Sequence, residues 1–127
     1  VGATAYGTDA MHVLRAEKGY ILIGQETDGT VTPDDLGLGW AVGRKKPDFV
    51  GKRSLARPDL VAPGRRQLVG LSPEARLPDI GAQLIPDPTP RPFSAEGHVT
   101  SAYLSDAAGG FIALGLLANG RARHGQT

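Results

Sequence analysis

The sequence LRAEKGYILIGQETDGTVTPDDLGLGW, at residues 14–40, joins a helix end, an apolar run and a loop interrupted by glycines and a proline. We predict a helix over residues 8–18, with Thr8 as its cap and Gly19 as its left-handed end. The run at residues 20–23 is apolar without alternation, which is typical of a strand buried on both faces. These elements favour a sheet that is covered by helices.

After residue 40 the sequence predicts a strand, a short helix and then a connector. Alternating apolar residues predict a strand over residues 36–42, bulged at its glycines. Asp48 is placed to cap a short helix that runs to residue 57. Residues 58–66, PDLVAPGRR, are rich in proline and arginine and are predicted to form a connector between two domains.

Beyond the connector the sequence consists of short apolar segments separated by Gly and Pro clusters. This spacing is typical of a small antiparallel barrel or sandwich. The predicted strands are residues 67–71, 82–85, 96–103 and 111–117.

Composition narrows the class of protein. Fourteen Lys and Arg residues against thirteen Asp and Glu give a formal charge of +1, which does not favour nucleic-acid binding. Without cysteine, the chain has no disulfide or thiolate site, and we expect a cytoplasmic protein. No apolar run approaches the roughly 20 residues that span a bilayer, so no membrane partner is expected.

Both ends of the chain indicate a piece of a longer protein. It begins at Val1 without an initiator methionine and stops at Thr127, directly after a glycine-centred turn that ordinarily leads into a strand. We therefore expect the last strand of the barrel to be missing. The isolated chain is then expected to self-associate through its unpaired strand edge.

The chain resembles the aminomethyltransferase family, which includes the glycine-cleavage T-proteins. The resemblance rests on residues 14–40 and continues, in order, through DFVGKRSL, LVGL, GHVTS and IAL, so that it covers nearly the whole chain. Within the family, TDGTVTPDD at residues 27–35 and GRARHGQT at residues 120–127 are most similar to the alpha subunits of heterotetrameric sarcosine oxidases.

This resemblance implies an α+β fold. Residues 1–57 would form the C-terminal end of a folate-binding aminomethyltransferase domain, and residues 67–127 a small antiparallel β-barrel. The parent would oxidise sarcosine to glycine and hydrogen peroxide and pass the one-carbon unit to tetrahydrofolate. Flavin and NAD would be bound by other parts of the complex, and other oxidase subunits would be partners. The chain alone is expected to be inactive.

Glu17 is the first candidate for a binding residue. A carboxylate in the last turn of a helix is disfavoured by the helix dipole, so stability alone does not select it. A reduced pterin offers two parallel N–H donors that match the two oxygens of a carboxylate. The resemblance implies that Glu17 binds the pterin. The competing interpretation is a surface glutamate paired with Arg15 or Lys18.

Four further residues complete the predicted folate site. Arg44 and Lys46 follow the predicted strand at residues 36–42 and could hold the carboxylates of the folate tail. The resemblance places a basic folate contact at Lys46, although lysine lacks the planar fork of arginine. Tyr20 and Trp40 are candidates for stacking on the heterocycle. For each of these residues, a solvated or core role is the alternative.

No catalytic or metal-binding residue is predicted in this chain. The three histidines are far apart, and the serines lack the G-x-S-x-G pattern of a nucleophile elbow. Three other functions stay open at this point. They are a T-protein or dimethylglycine dehydrogenase-like aminomethyltransferase, a non-catalytic barrel that docks partner subunits, and, last in rank, an oligonucleotide-binding barrel.

Overall fold

The computed structural model describes residues 2–86 and 91–126, so Val1 and Thr127, the two predicted cut ends, lie outside the described residues. Its main element is one antiparallel sheet with strand order β1-β4-β3-β2. The strands are β1 (Arg66–Leu71), β2 (Gln83–Leu84), β3 (Gly97–Ser105) and β4 (Gly110–Ala118). All four strands coincide with predicted segments, and the antiparallel sheet with one sizeable helix confirms the α+β class.

Strands β3 and β4 form a hairpin whose turn closes with a hydrogen bond from the Gly109 N–H to the Asp106 carbonyl at 3.2 Å. The register shifts between Val99 and Ser101, which indicates a bulge. The extra residue lets Val99 and Ala102, three positions apart, pack in the same apolar cluster. The opposite face of β3 is left to hydroxyl-bearing side chains.

Gly97 lies where the backbones of β3 and β4 approach each other closely. A Cβ atom built on Gly97 would lie 2.0 Å from the Leu116 carbonyl oxygen of β4. Only glycine allows the two strands to approach so closely at this end of the hairpin.

Helix α1 (Thr8–Glu17) confirms the predicted helix, and Gly19 has the predicted left-handed conformation with φ of 69°. The N-cap is Gly7, and no side chain caps the helix, so the predicted Thr8 cap is wrong. The helix packs mainly against β3, and its buried residue is Ala16.

The two strands predicted upstream of the sheet are wrong. Tyr20 and Ile23 are 67% and 79% exposed, and residues 20–23 have no regular secondary structure apart from the isolated bridge of Ile23 with Thr27. Residues 36–42 contain a 3-10 helix, Gly39–Ala41, in place of a strand. A strand needs a neighbour for its backbone groups, and neither segment pairs with the one sheet of the described residues.

The helix predicted over residues 48–57 is also wrong. The segment forms turns and a 3-10 helix, Ser54–Ala56. Helix α2 (Pro58–Val61) lies instead inside the predicted connector, because Pro58 is preorganised for the first turn of a helix and begins α2. The domain boundaries themselves stay a prediction.

Within the described residues the sheet is open, with β1 and β2 as its edges. The outer edge of β1 is partly covered, because the Leu68 N–H donates to the Asp35 carbonyl at 2.9 Å. None of the helices in residues 2–86 and 91–126 is long and apolar enough to cross a bilayer.

Candidate functional site

A cavity of about 730 Å³ lies between the end of α1 and the sheet. Its walls are the last turn of α1, strand β1, the middle of β4 and the turn between β3 and β4. Leu68, Leu71 and Leu114 supply apolar surface, while Glu17 and Lys18 supply charge. A cavity of this size that combines apolar walls with a few polar groups falls in the range of small-molecule sites.

Glu17, the last residue of α1, lies in the wall of this cavity. The Ser105 hydroxyl, at the end of β3, donates to Glu17 Oε1 over 2.6 Å. Ser105 is fully buried, and its Oγ accepts a hydrogen bond from the Ala108 N–H at 3.0 Å. One carboxylate oxygen is therefore held by the sheet, and within residues 2–86 and 91–126 no donor approaches Oε2.

A buried ion pair lies one half-turn earlier on the helix. Arg15 Nη1 lies 2.8 Å from Glu26 Oε2, and the Glu26 side chain has no exposed surface. The Leu22 N–H also donates to Glu26 Oε2, at 2.8 Å. Burial without partners would cost a carboxylate several kcal/mol, and the Arg15 cation and the Leu22 N–H offset this cost. Arg15 is thereby engaged by Glu26, and the competing pairing of Glu17 with Arg15 is wrong.

The same arginine joins α1 to β3. Arg15 Nη2 donates to Ser101 Oγ at 2.6 Å and to the Tyr103 hydroxyl at 3.2 Å, and its guanidinium carbon lies 5.7 Å from the Tyr103 ring centre. The Ser101 hydroxyl in turn donates to Glu26. We call Arg15, Gln25, Glu26, Ser101 and Tyr103 the arginine network. It fixes the helix turn that carries Glu17.

A second ion pair joins the loop before β1 to the residue that precedes the strand. Arg65 contacts both oxygens of the Asp35 carboxylate, which also accepts hydrogen bonds from the Thr32 N–H and hydroxyl, each at 2.8 Å. Burial raises the pKa of Asp35, but the hydrogen bonds from Arg65 and Thr32 and the charge of Arg65 outweigh it. The net pKa of Asp35 therefore lies below its ordinary value.

The other predicted site residues do not converge on Glu17. Arg44 is paired with Asp34 at 2.6 Å and lines a separate cavity of about 290 Å³. Lys46 is exposed, and its carbonyl accepts a hydrogen bond from Lys52 Nζ at 2.6 Å. Tyr20 and Trp40 are largely exposed, Trp40 at 83%. Folate contacts by these four residues stay predictions.

The sequence contained a signal for the residues that were missed. Ser101, Tyr103 and Ser105 carry hydroxyl groups at every second position of β3, so they lie on one face of the strand. Three hydroxyl groups on one face of a strand indicate that this face packs against polar side chains. The partners of these hydroxyl groups, Glu17 and Arg15, lie 86 to 88 positions earlier, and no local pattern connects them.

Comparison with known proteins supports the relation suggested by the sequence. Residues 1–46 match the model of the GCVT N-terminal domain, and residues 66–127 match the glycine cleavage T-protein C-terminal barrel domain. The chain is 50% identical over 97% of its length to the sarcosine oxidase subunit alpha of Corynebacterium sp. (strain P-1), and 43% identical over 98% to that of Rhizobium meliloti (strain 1021).

An aminomethyltransferase of Thermosynechococcus vestitus is 38% identical over 90% of the chain and is matched over 30% of its own length. The chain spans 13% of the length of each of the two alpha subunits. Models of two consecutive domains match in the expected order and cover most of the residues. The chain therefore belongs to the aminomethyltransferase, or glycine-cleavage T-protein, family.

Proposed function

We propose that this chain is part of the tetrahydrofolate-binding half of a heterotetrameric sarcosine oxidase. The parent oxidises sarcosine to glycine and hydrogen peroxide, and tetrahydrofolate accepts the one-carbon unit as methylenetetrahydrofolate. The identity of 43 to 50% with sarcosine oxidase alpha subunits supports the oxidase assignment. The observation that carries the folate assignment is the position of Glu17 in the wall of the cavity between α1 and the sheet.

The chemistry of Glu17 matches a pterin. The amide N–H and the exocyclic amine of a reduced pterin are adjacent donors, and an ionised carboxylate has about four lone-pair sites to receive them. The hydrogen bond from Ser105 uses one of these sites on Oε1. Sites on both oxygens therefore stay available to the pterin, and the leucines of the cavity wall offer apolar surface to the ring.

The folate tail would be held by exposed cations outside the cavity. Lys46 is the better candidate, because its carbonyl and not its ammonium group is used by Lys52. Arg44 would have to share its guanidinium with Asp34. Tyr20 and Trp40 are proposed to stack on the ligand from the solvent side. Flavin and NAD belong to other parts of the complex, and a cytoplasmic location is part of the same proposal.

The proposal is tested by Glu17→Gln in the assembled oxidase. An amide places a donor against a donor of the pterin, so tetrahydrofolate binding should weaken by about 1.5 to 3 kcal/mol. Oxidation persists, and formaldehyde replaces methylenetetrahydrofolate as the one-carbon product. Calorimetry gives the dissociation constant, and product analysis gives the partition.

Glu74→Gln is the matched control, because Glu74 is an exposed glutamate on the loop after β1. An unchanged folate dissociation constant in Glu17→Gln would refute the folate assignment and favour a barrel that only docks partner subunits.

An aminomethyltransferase without oxidase activity is the second candidate. The 38% identity to the Thermosynechococcus aminomethyltransferase favours it. The two candidates differ in the upstream part of the parent gene. A dinucleotide-binding fingerprint encoded there indicates the oxidase, and a short parent without that fingerprint indicates the transferase.

A further inference from the structure

Ser105, the last residue of β3, is hydrogen-bonded to Glu17, the residue proposed to bind the pterin, although the two are 88 positions apart in sequence. Ser105 Oγ donates to Glu17 Oε1 at 2.6 Å, and Ser105 has no exposed surface. The Ala108 N–H of the following turn donates to the same Oγ at 3.0 Å. Because this N–H uses a lone pair of the hydroxyl, the hydroxyl proton is directed to the carboxylate.

The position of Glu17 makes such a donor necessary. A carboxylate at the C-terminal end of a helix meets the partial negative charge of free carbonyl groups. A hydrogen bond from a buried hydroxyl offsets this repulsion and also restricts the rotamers of a flexible side chain. A preorganised carboxylate loses less entropy when a ligand binds it.

We propose that Ser105 is a positioning residue of the folate site. It orients the Glu17 carboxylate so that the remaining lone pairs of its oxygens receive the two pterin donors. The barrel half of the chain thus contributes to a site that the first half supplies. This inference rests on the proposed function, since it names how the pterin ligand is held.

Two other hydroxyl groups on β3, those of Thr100 and Ser101, make no hydrogen bond to Glu17. Thr100 is buried, yet its Oγ1 has no partner among the described residues. The Ser101 hydroxyl is used by the arginine network. Of these three hydroxyl groups, only that of Ser105 contacts Glu17. Removal of the Thr100 hydroxyl is therefore a suitable control for removal of the Ser105 hydroxyl.

The test is the dissociation constant of tetrahydrofolate for the assembled oxidase and four variants: Ser105→Ala, Thr100→Val, Glu17→Gln and the double variant Glu17→Gln/Ser105→Ala. Ser105→Ala should raise the dissociation constant about tenfold, as expected for one hydrogen bond to a charged group. Thr100→Val should leave both the constant and the oxidation rate unchanged. The double variant should bind like Glu17→Gln alone, because the serine acts through the glutamate.

A kinetic measurement separates positioning from folding. The loss in Ser105→Ala should fall on the KM for tetrahydrofolate, while the rate of sarcosine oxidation and the folded fraction at the assay temperature stay at the wild-type values. If Ser105→Ala does not fold, Ser105→Cys, which keeps the volume but has only a weak donor, must show the same loss.

The outcomes distinguish failure of the proposed folate-binding function from failure of the positioning role of Ser105. If Glu17→Gln leaves folate binding unchanged, the proposed function fails. If Glu17→Gln weakens binding but Ser105→Ala does not, the function stands and the positioning role is overturned. The positioning role is also overturned if Ser105→Ala weakens binding by the same factor with and without Glu17→Gln.

Discussion

The sheet region (residues 66–126) and the turn region (residues 2–65) are stabilised in different ways. The sheet region has a long backbone ladder and a small apolar cluster around Val99 and Ala113. The turn region has one sizeable helix, and large apolar side chains such as Trp40 and Val50 are exposed. Its ion pairs lie within the turn region itself, and its side-chain contacts with the sheet region include the hydrogen bonds of Arg15 with Ser101 and of Ser105 with Glu17. The turn region is therefore positioned by the sheet region, whereas the sheet region is held by its own strands.

Arg15→Met tests this difference and is expected to have the largest effect. The substitution leaves the buried Glu26 carboxylate without its cation, which should lower the free energy of unfolding by about 3 to 5 kcal/mol. Hydrogen exchange of the 127-residue chain should show lost protection in α1 while β3 and β4 stay protected. Arg53→Met, at an exposed arginine, is the control. Equal loss of protection in both regions would contradict the comparison.

A second test acts on the sheet region. In Gly97→Ala the new methyl group overlaps the Leu116 carbonyl, which lies 2.0 Å from its ideal position. The free energy of unfolding should fall by about 2 to 3 kcal/mol. At Gly70 in β1 nothing lies within 4 Å of an added Cβ, so Gly70→Ala should be neutral. Urea denaturation compares the two, and equal midpoints would show that the strands can separate without cost.

The smallest expected effect concerns the ion pair of Asp35 with Arg65, which lies in the turn region next to β1. Because the pKa of Asp35 is lowered in the folded chain, its stabilising contribution is complete above the unfolded value of about 3.9 and is lost as the pH falls through the lower folded value. Asp35→Asn should cost about 1 to 2 kcal/mol at pH 7. It should also flatten the fall in stability below about pH 4.

Acid titrations of unfolding, with Asp79→Asn at an exposed aspartate as control, measure this difference. A parallel acid transition in wild type and Asp35→Asn would show that the ion pair with Arg65 does not contribute to folding.

The strands of the sheet region could be predicted because their partners lie nearby in sequence. Phe111 and Leu104 are paired across a short turn, so apolar segments separated by glycines contain most of the information needed. Gly19 was predictable for a similar reason, because a helix end is a local feature.

The turn region could not be predicted from the same kind of pattern. Residues 20–23 look like a buried strand, but apolar composition makes a strand only where another strand accepts its hydrogen bonds. The candidate site was predictable only for Glu17. Its partner Ser105 lies 88 positions away, and the ion pair of Arg15 with Glu26 joins a helix to an irregular turn, so hydrophobic periodicity predicts neither contact.

The hydrogen bond between Glu17 and Ser105 also sets an order of events during synthesis. Helix α1 leaves the ribosome 88 residues before its hydroxyl partner does. The β3–β4 hairpin closes over a short turn and can form quickly, whereas docking of α1 closes a long loop and must wait for that hairpin. The nascent chain therefore presents an unanchored glutamate until β3 and β4 have emerged and paired, and the Glu17 side chain takes its final position only after the sheet has formed.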